Sequence, residues 1–111
     1  MTAKPVLPRE RALRDIDEAV DYYLTEAGER VALGFIDALE QAFQTIGRHP
    51  AAASPRYAHE LALPGLRSHL LKRYPYLVFY IERDGHVDIW RVLQEHRDIP
   101  ARMRKPDNSL P

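Results

Sequence analysis

The chain has 111 residues, with 16 Lys and Arg balancing 16 Asp and Glu, so it carries no formal net charge at neutral pH. That balance disfavours a diffuse polyanion binder, because nonspecific nucleic-acid affinity comes mostly from surplus cations that neutralise phosphates. The length suits one domain, residues 1–106 with a frayed tail at 107–111, and one core that needs no disulfide or metal staple.

Apolar residues make up 45% and charged residues 29%, the mixture of an ordinary globular protein. Cysteine is absent, which removes disulfides, thiolate metal sites and cysteine nucleophiles. Met1 to Pro8 has no basic segment leading into an apolar run, so no secretory signal is expected. The longest apolar run, Tyr76 to Ile81, is far short of the roughly 20 residues of a membrane helix. The expected location is the cytoplasm, with no membrane contact.

A short extended segment at Lys4 to Leu7 opens the pattern. From Arg9 to Ala27, apolar residues at Leu13, Ile16, Val20, Tyr23, Leu24 and Ala27 step by three and four, which predicts an amphipathic helix. Asp15, Asp17, Glu18 and Asp21 are assigned to its polar side. Pro8 suits the first helical position and Gly28 the left-handed residue after the last turn. A second stripe, Val31, Phe35, Ala38, Leu39, Ala42, Phe43 and Ile46, ends near Gly47 and Pro50. Two such helices joined at one glycine fold back as an antiparallel hairpin. His49 to Pro55 reads as a connector.

Beyond Leu61 the period changes. Leu66 to Lys72, Tyr76 to Glu82 and His86 to Glu95 read as strands, with Pro75 between the first two. Asp84-Gly85 has the preference for positive φ of a two-residue hairpin turn. The register that follows pairs Arg83 with His86, Tyr80 with Ile89, Phe79 with Trp90 and Val78 with Arg91. Both faces of this hairpin are largely apolar, which places it in the middle of a sheet, with helices on one face and a partial cover on the other. The predicted class is α+β: an N-terminal strand, an antiparallel helical hairpin packed on a small antiparallel sheet, and a short C-terminal segment.

Little in the chain points to catalysis. The five histidines, at 49, 59, 69, 86 and 96, have no helical ligand spacing, so no metal is predicted. Isolated glycines exclude a phosphate loop, and no serine sits in a nucleophile elbow. No cofactor or small-molecule substrate is implied. What remains is a charge asymmetry, net −3 over residues 1–48 and net +4 over residues 49–106. Arg56, Arg67, Lys72, Arg73, Arg91 and Arg97 lie in the basic half, interleaved with Tyr57, Tyr74, Tyr76 and Tyr80. Such a surface contacts RNA through phosphates and stacked bases, or is a solvated sheet face whose arginines pair with Glu60, Glu82 and Asp88. Arg91 interrupts an apolar strand between Trp90 and Val92. It is either paired across the sheet, with Glu82 a candidate partner, or functional.

The order of these pieces resembles a known family. Ala12, Leu13, Asp15 and Ile16 lead to Tyr22-Tyr23. Gly-Leu-Arg follows at 65–67, then Tyr-Pro-Tyr at 74–76 with Phe79-Tyr80. Arg-Val-Leu at 91–93 precedes Arg-Asp-Ile-Pro-Ala-Arg-Met at 97–103. Together they resemble the ParE branch of the RelE/ParE toxins of type II toxin-antitoxin systems. The resemblance implies a toxin neutralised by a ParD-like antitoxin in a hetero-oligomeric complex, and a noncatalytic inhibitor of DNA gyrase. RelE-like relatives instead cleave messenger RNA on the ribosome. For that alternative Arg67, Arg91 and His96 are the candidates, with His96 the group left for proton transfer because no tyrosine follows Tyr80. A third alternative is a nontoxic relative that only binds a partner. Target-contacting candidates are Arg67, Tyr80, Arg91, His96 and Arg97. Antitoxin-binding candidates are Tyr22, Tyr23, Phe35 and Leu39, the last two also fitting the core by helical phase. Many similar sequences carry histidine after the Val-Leu pair, whereas this chain has Gln94, which exchanges no proton at neutral pH.

Overall fold

A strand of three residues, β1 (Val6–Pro8), turns at Arg9 into helix α1 (Glu10–Glu26), and Ala27-Gly28 lead into helix α2 (Glu29–Arg48). A single turn of helix, α3 (Arg56–Glu60), precedes strands β2 (Leu66–Leu70), β3 (Tyr76–Glu82) and β4 (Val87–Gln94), and α4 (Ile99–Arg104) follows. This is the architecture of a computed structural model that describes residues 3–95 and 99–104. The sheet order is β1-β4-β3-β2, so the apolar β3/β4 hairpin is central, as its two-sided pattern predicts. The fold is the expected α+β arrangement, antiparallel except at its first edge, where β1 runs parallel to β4 and Val6 pairs with Val87.

The helical hairpin packs on one face of the sheet. Phe35, Leu39, Ala42 and Ile46 of α2 meet Tyr76, Val78, Tyr80, Val87, Ile89 and Val92 of the central strands. α1 approaches through Ala12 and Ala19, both at most 3% exposed, whose small side chains let the helix lie close to the strands. Its buried line differs from the stripe that the spacing predicts. Leu13 and Leu24 are 48% and 46% exposed, while Asp15 is 4% exposed and faces the sheet. The helix is rotated so that a carboxylate, not a leucine, points inward. The opposite face of the sheet carries a second core of Tyr57, Leu66, Phe79, Ile81, Leu93 and Ile99, covered by α3 and α4. That is the partial cover that the apolar outer face of β3 demands.

Several local expectations change. Pro8 ends β1 instead of opening α1, because Arg9 is still extended and donates its N–H to the Ile89 carbonyl at 2.9 Å. Gly28 has the positive φ anticipated, +95°, but its ψ of 174° is extended and it caps the start of α2. Asp84 and Gly85 lie between the predicted pair, Arg83 N–H donating to the His86 carbonyl at 2.8 Å, but neither has the positive φ anticipated. The predicted register holds from this loop to Tyr80↔Ile89 and then slips by one. Phe79 pairs with Arg91 and Val78 with Val92, so Trp90 is the extra residue of a β-bulge. The frayed tail, residues 107–111, lies outside the described residues.

The β1 edge depends on a close approach to α2. Lys4 N–H donates to the Gly47 carbonyl at 3.0 Å, and a Cβ at Gly47 would sit 2.8 Å from the Lys4 carbonyl oxygen. Gly47→Ala therefore displaces the segment before β1. We expect it to lower unfolding free energy by about 1–3 kcal/mol, the range of overpacking substitutions, in a denaturant titration.

Candidate functional site

The feature with the most concentrated chemistry lies where α1 crosses the edge of β4. β1 covers β4 only at Val87 to Ile89, after which the chain has turned into α1, and among the described residues no strand continues alongside Val92 to Gln94. Asp15 fills the gap. Its carboxylate accepts from Arg91 Nε at 2.7 Å and Nη2 at 2.9 Å, and from the Val92 backbone N–H at 3.0 Å. Arg11, one turn earlier on α1, adds a cation at 3.2 Å. Arg91 also donates from Nη1 to the Arg102 carbonyl at 3.3 Å, so one guanidinium joins α1, β4 and α4. The Arg91 and Asp15 side chains are 10% and 2% exposed. The ion pair anticipated for Arg91 therefore exists, with Asp15 and not with Glu82, which pairs with Lys4 at 2.7 Å.

Beside this pair a cavity of about 440 Å³ opens between α1 and β4, lined by Asp15, Glu18, Tyr22, Tyr76, Gln94 and Arg102 among others. In an antiparallel ladder alternate residues turn both backbone groups to one neighbour. Glu95 N–H donates to Pro75 on the β3 side and Val92 N–H donates to Asp15, so Val92 and Gln94 turn theirs towards the cavity. It is a slot beside a strand edge.

The sequence-nominated residues do not converge. Arg67 on β2 donates from Nη1 to the Ala53 carbonyl at 2.7 Å, and β3 separates it from Arg91. Tyr80 is 0% exposed and donates to the Pro50 carbonyl at 2.6 Å. Burial raises its pKa against the opposing pull of Arg67, so it stays a neutral donor at neutral pH. His96 and Arg97 lie outside the described residues. On the hairpin, Phe35 and Leu39 are 0% and 6% exposed and belong to the core, which corrects their candidacy as surface contacts. Tyr23 is half-buried among Phe35, Tyr74 and Tyr76, with ring centroids 5.3 to 6.1 Å away, and burial raises its pKa to about 12. Tyr22 is 51% exposed at the rim of the slot. Among the described residues no acidic or histidine cluster is placed as for a metal ion, and no helix is long and apolar enough to cross a membrane.

Residues 6–99 match the family model described as the ParE toxin of the type II toxin-antitoxin system parDE. The chain belongs to the ParE toxin family. Its fold is shared with a solved chain of the chromosomal ParDE toxin-antitoxin system from P. aeruginosa, to which this ParE-family chain is 19% identical. The TM-score is 0.69 over 83% of this chain and 96% of the other. Among curated protein sequences none matches. In this ParE-family chain the Gln94 of the resemblance stands on the cavity side of β4, opposite Tyr76 in the ladder.

Asp15 is the residue that periodicity misassigned. The signal was present in its phase, since it lies three residues after Ala12 and four before Ala19, the two residues that α1 buries most deeply with it. Removing one partner leaves the other buried and uncompensated. Asp15→Ala and Arg91→Ala are each expected to cost about 3–5 kcal/mol, and Asp15→Leu with Arg91→Met to recover most of that loss. A double-variant loss equal to the sum of the two single losses, measured by urea unfolding, would show that the two side chains are not coupled.

Proposed function

We propose that the chain is the toxin of a ParDE-type pair, that it acts on DNA gyrase by binding and not by catalysis, and that a ParD-like antitoxin neutralises it. Family membership supports the general reading, and one observation carries the noncatalytic part. The two arginines that an RNA-cleaving relative would turn on a phosphate are already engaged, Arg67 with a backbone carbonyl and Arg91 with a buried carboxylate. A guanidinium as buried as that of Arg91, 10% exposed and held in a bidentate pair, has little left to stabilise developing charge on a substrate.

For the antitoxin we propose two contacts. An amphipathic helix would lie along α1, where exposed Leu13 and Leu24 flank half-buried Val20 on one helical stripe. The exposed acids Asp17, Asp21, Glu26, Asp37 and Glu40 around the hairpin favour a basic partner there. An extended segment would enter the slot under Tyr22 and reach the β4 edge.

Purified chain added to a gyrase supercoiling reaction should inhibit it or trap cleaved DNA at micromolar concentration. Messenger ends mapped in expressing cells should show no codon-phased cuts; such cuts would establish the nuclease reading instead. Leu24→Glu should weaken antitoxin binding by about tenfold or more, as measured by titration calorimetry.

A further inference from the structure

The second face of the sheet is incompletely covered. α3 and α4 lie over its centre, but its β1 end carries Leu7, Arg9, Arg83, Asp88 and Trp90. Leu7 pairs with Asp88 in the ladder, so the two share that face, and Leu7 is 53% exposed. Trp90 is the unpaired residue of the β4 bulge, packed by one side on the second core. Its indole N–H donates to Asp88 Oδ2 at 3.2 Å. The guanidinium of Arg9 lies 4.2 Å from the ring centroid and donates from Nε and Nη2 to the two Asp88 oxygens, each at 3.0 Å. Arg83 Nη2 reaches the same carboxylate at 3.2 Å.

The Asp88 carboxylate is 11% exposed and is satisfied by these donors, while the arginine side chains that hold it stay 48% and 44% exposed. What the arrangement achieves is preorganisation: an indole with the Arg9 guanidinium laid over its face, Arg83 held on the same carboxylate and an exposed leucine nearby. Ordering these side chains in advance removes a cost that binding would otherwise carry. One carboxylate answers two guanidiniums, so the patch keeps one positive charge and spare N–H donors. Trp and Arg around an apolar centre form the composition of a protein-binding hot spot. A single excess charge is too small for phosphate recognition, which draws on several.

We propose that the Leu7, Arg9, Arg83 and Trp90 patch is the surface on which the chain docks its target. The occupant is an acidic protein surface that offers a carboxylate to the arginines and an apolar side chain to Leu7. The inference rests on the reading of the chain as a target-binding toxin, and it assigns target and antitoxin to opposite faces of the sheet. Charge favours that division, since the hairpin side is acidic and this patch is cationic.

The test compares the wild-type full chain with Leu7→Glu and Arg83→Gln in gyrase supercoiling, in growth arrest on induction without antitoxin, and in antitoxin binding. Both variants should need about tenfold more protein to inhibit gyrase and should relieve growth arrest, with antitoxin binding within about twofold of wild type. Retained antitoxin binding verifies the fold, and if Leu7→Glu fails that check, Arg83→Gln decides alone. Variants as potent as wild type overturn the proposal. Growth arrest by a wild-type chain that spares gyrase removes the gyrase reading, while relief of that arrest in the variants upholds the patch. A wild-type chain that neither inhibits gyrase nor arrests growth overturns both. Binding of free duplex DNA that the variants lose would make the occupant a nucleic acid and overturn the assignment.

Discussion

One buried carboxylate organises the junction of the two layers. The helical hairpin and the sheet meet over apolar side chains that set no unique rotation of α1, since a helix with Leu13, Ile16, Val20 and Leu24 has more than one apolar line to bury. Asp15 selects one. Its oxygens hold the guanidinium of Arg91 and the backbone N–H of Val92, so α1 can lie on the sheet in only one phase and at one height. Burial of an ion pair is a poor source of net stability, because desolvation offsets much of the attraction. Its effect here is specificity, in that every other phase would leave Arg91 buried without a partner.

The bulge at Trp90 works with that pair. By adding one residue to β4, it changes the pairing beyond Ile89 and brings Arg91 to the edge where Asp15 waits, while Trp90 stays on the outer face beneath Arg9. A charged residue in a central strand, which looks anomalous in the sequence, is reconciled with the core because the strand has an uncovered margin at that point. The short length of β1 creates the margin.

Much of this was legible from residue patterns. The two helices, the three long strands, the central place of the β3/β4 hairpin and the cover on its outer face follow from periodicity and from apolar residues on both sides of a strand. The misreadings share a cause, which is that local pattern carries no information about distant partners. Asp15 looks like a surface acid until Arg91, 76 positions away, is placed beside it. Asp84-Gly85 suits a turn with positive φ, which neither residue adopts, and nothing local announces the bulge. Arg67, Tyr80 and Arg91 were sensible nominations by residue type. Their side chains turned to Ala53, Pro50 and Asp15 because each lies within reach of an acceptor that only the folded chain supplies. His96 and Arg97 lie outside the described residues.

The parallel pairing of β1 with β4 has a consequence for the order of events in folding. Val6 to Pro8 find their partners at Val87 to Ile89, and Asp15 finds its own at Arg91 and Val92. Both closures span most of the chain, so their loop entropy must be overcome before either contact contributes. During synthesis the helical hairpin emerges long before the strand that fixes its orientation. Until that strand leaves the ribosome, the apolar underside of the hairpin lacks Val87, Ile89 and Val92, and the arginine and tryptophan patch does not yet exist because β4 supplies Asp88 and Trp90. The last strand to be made completes both faces at once.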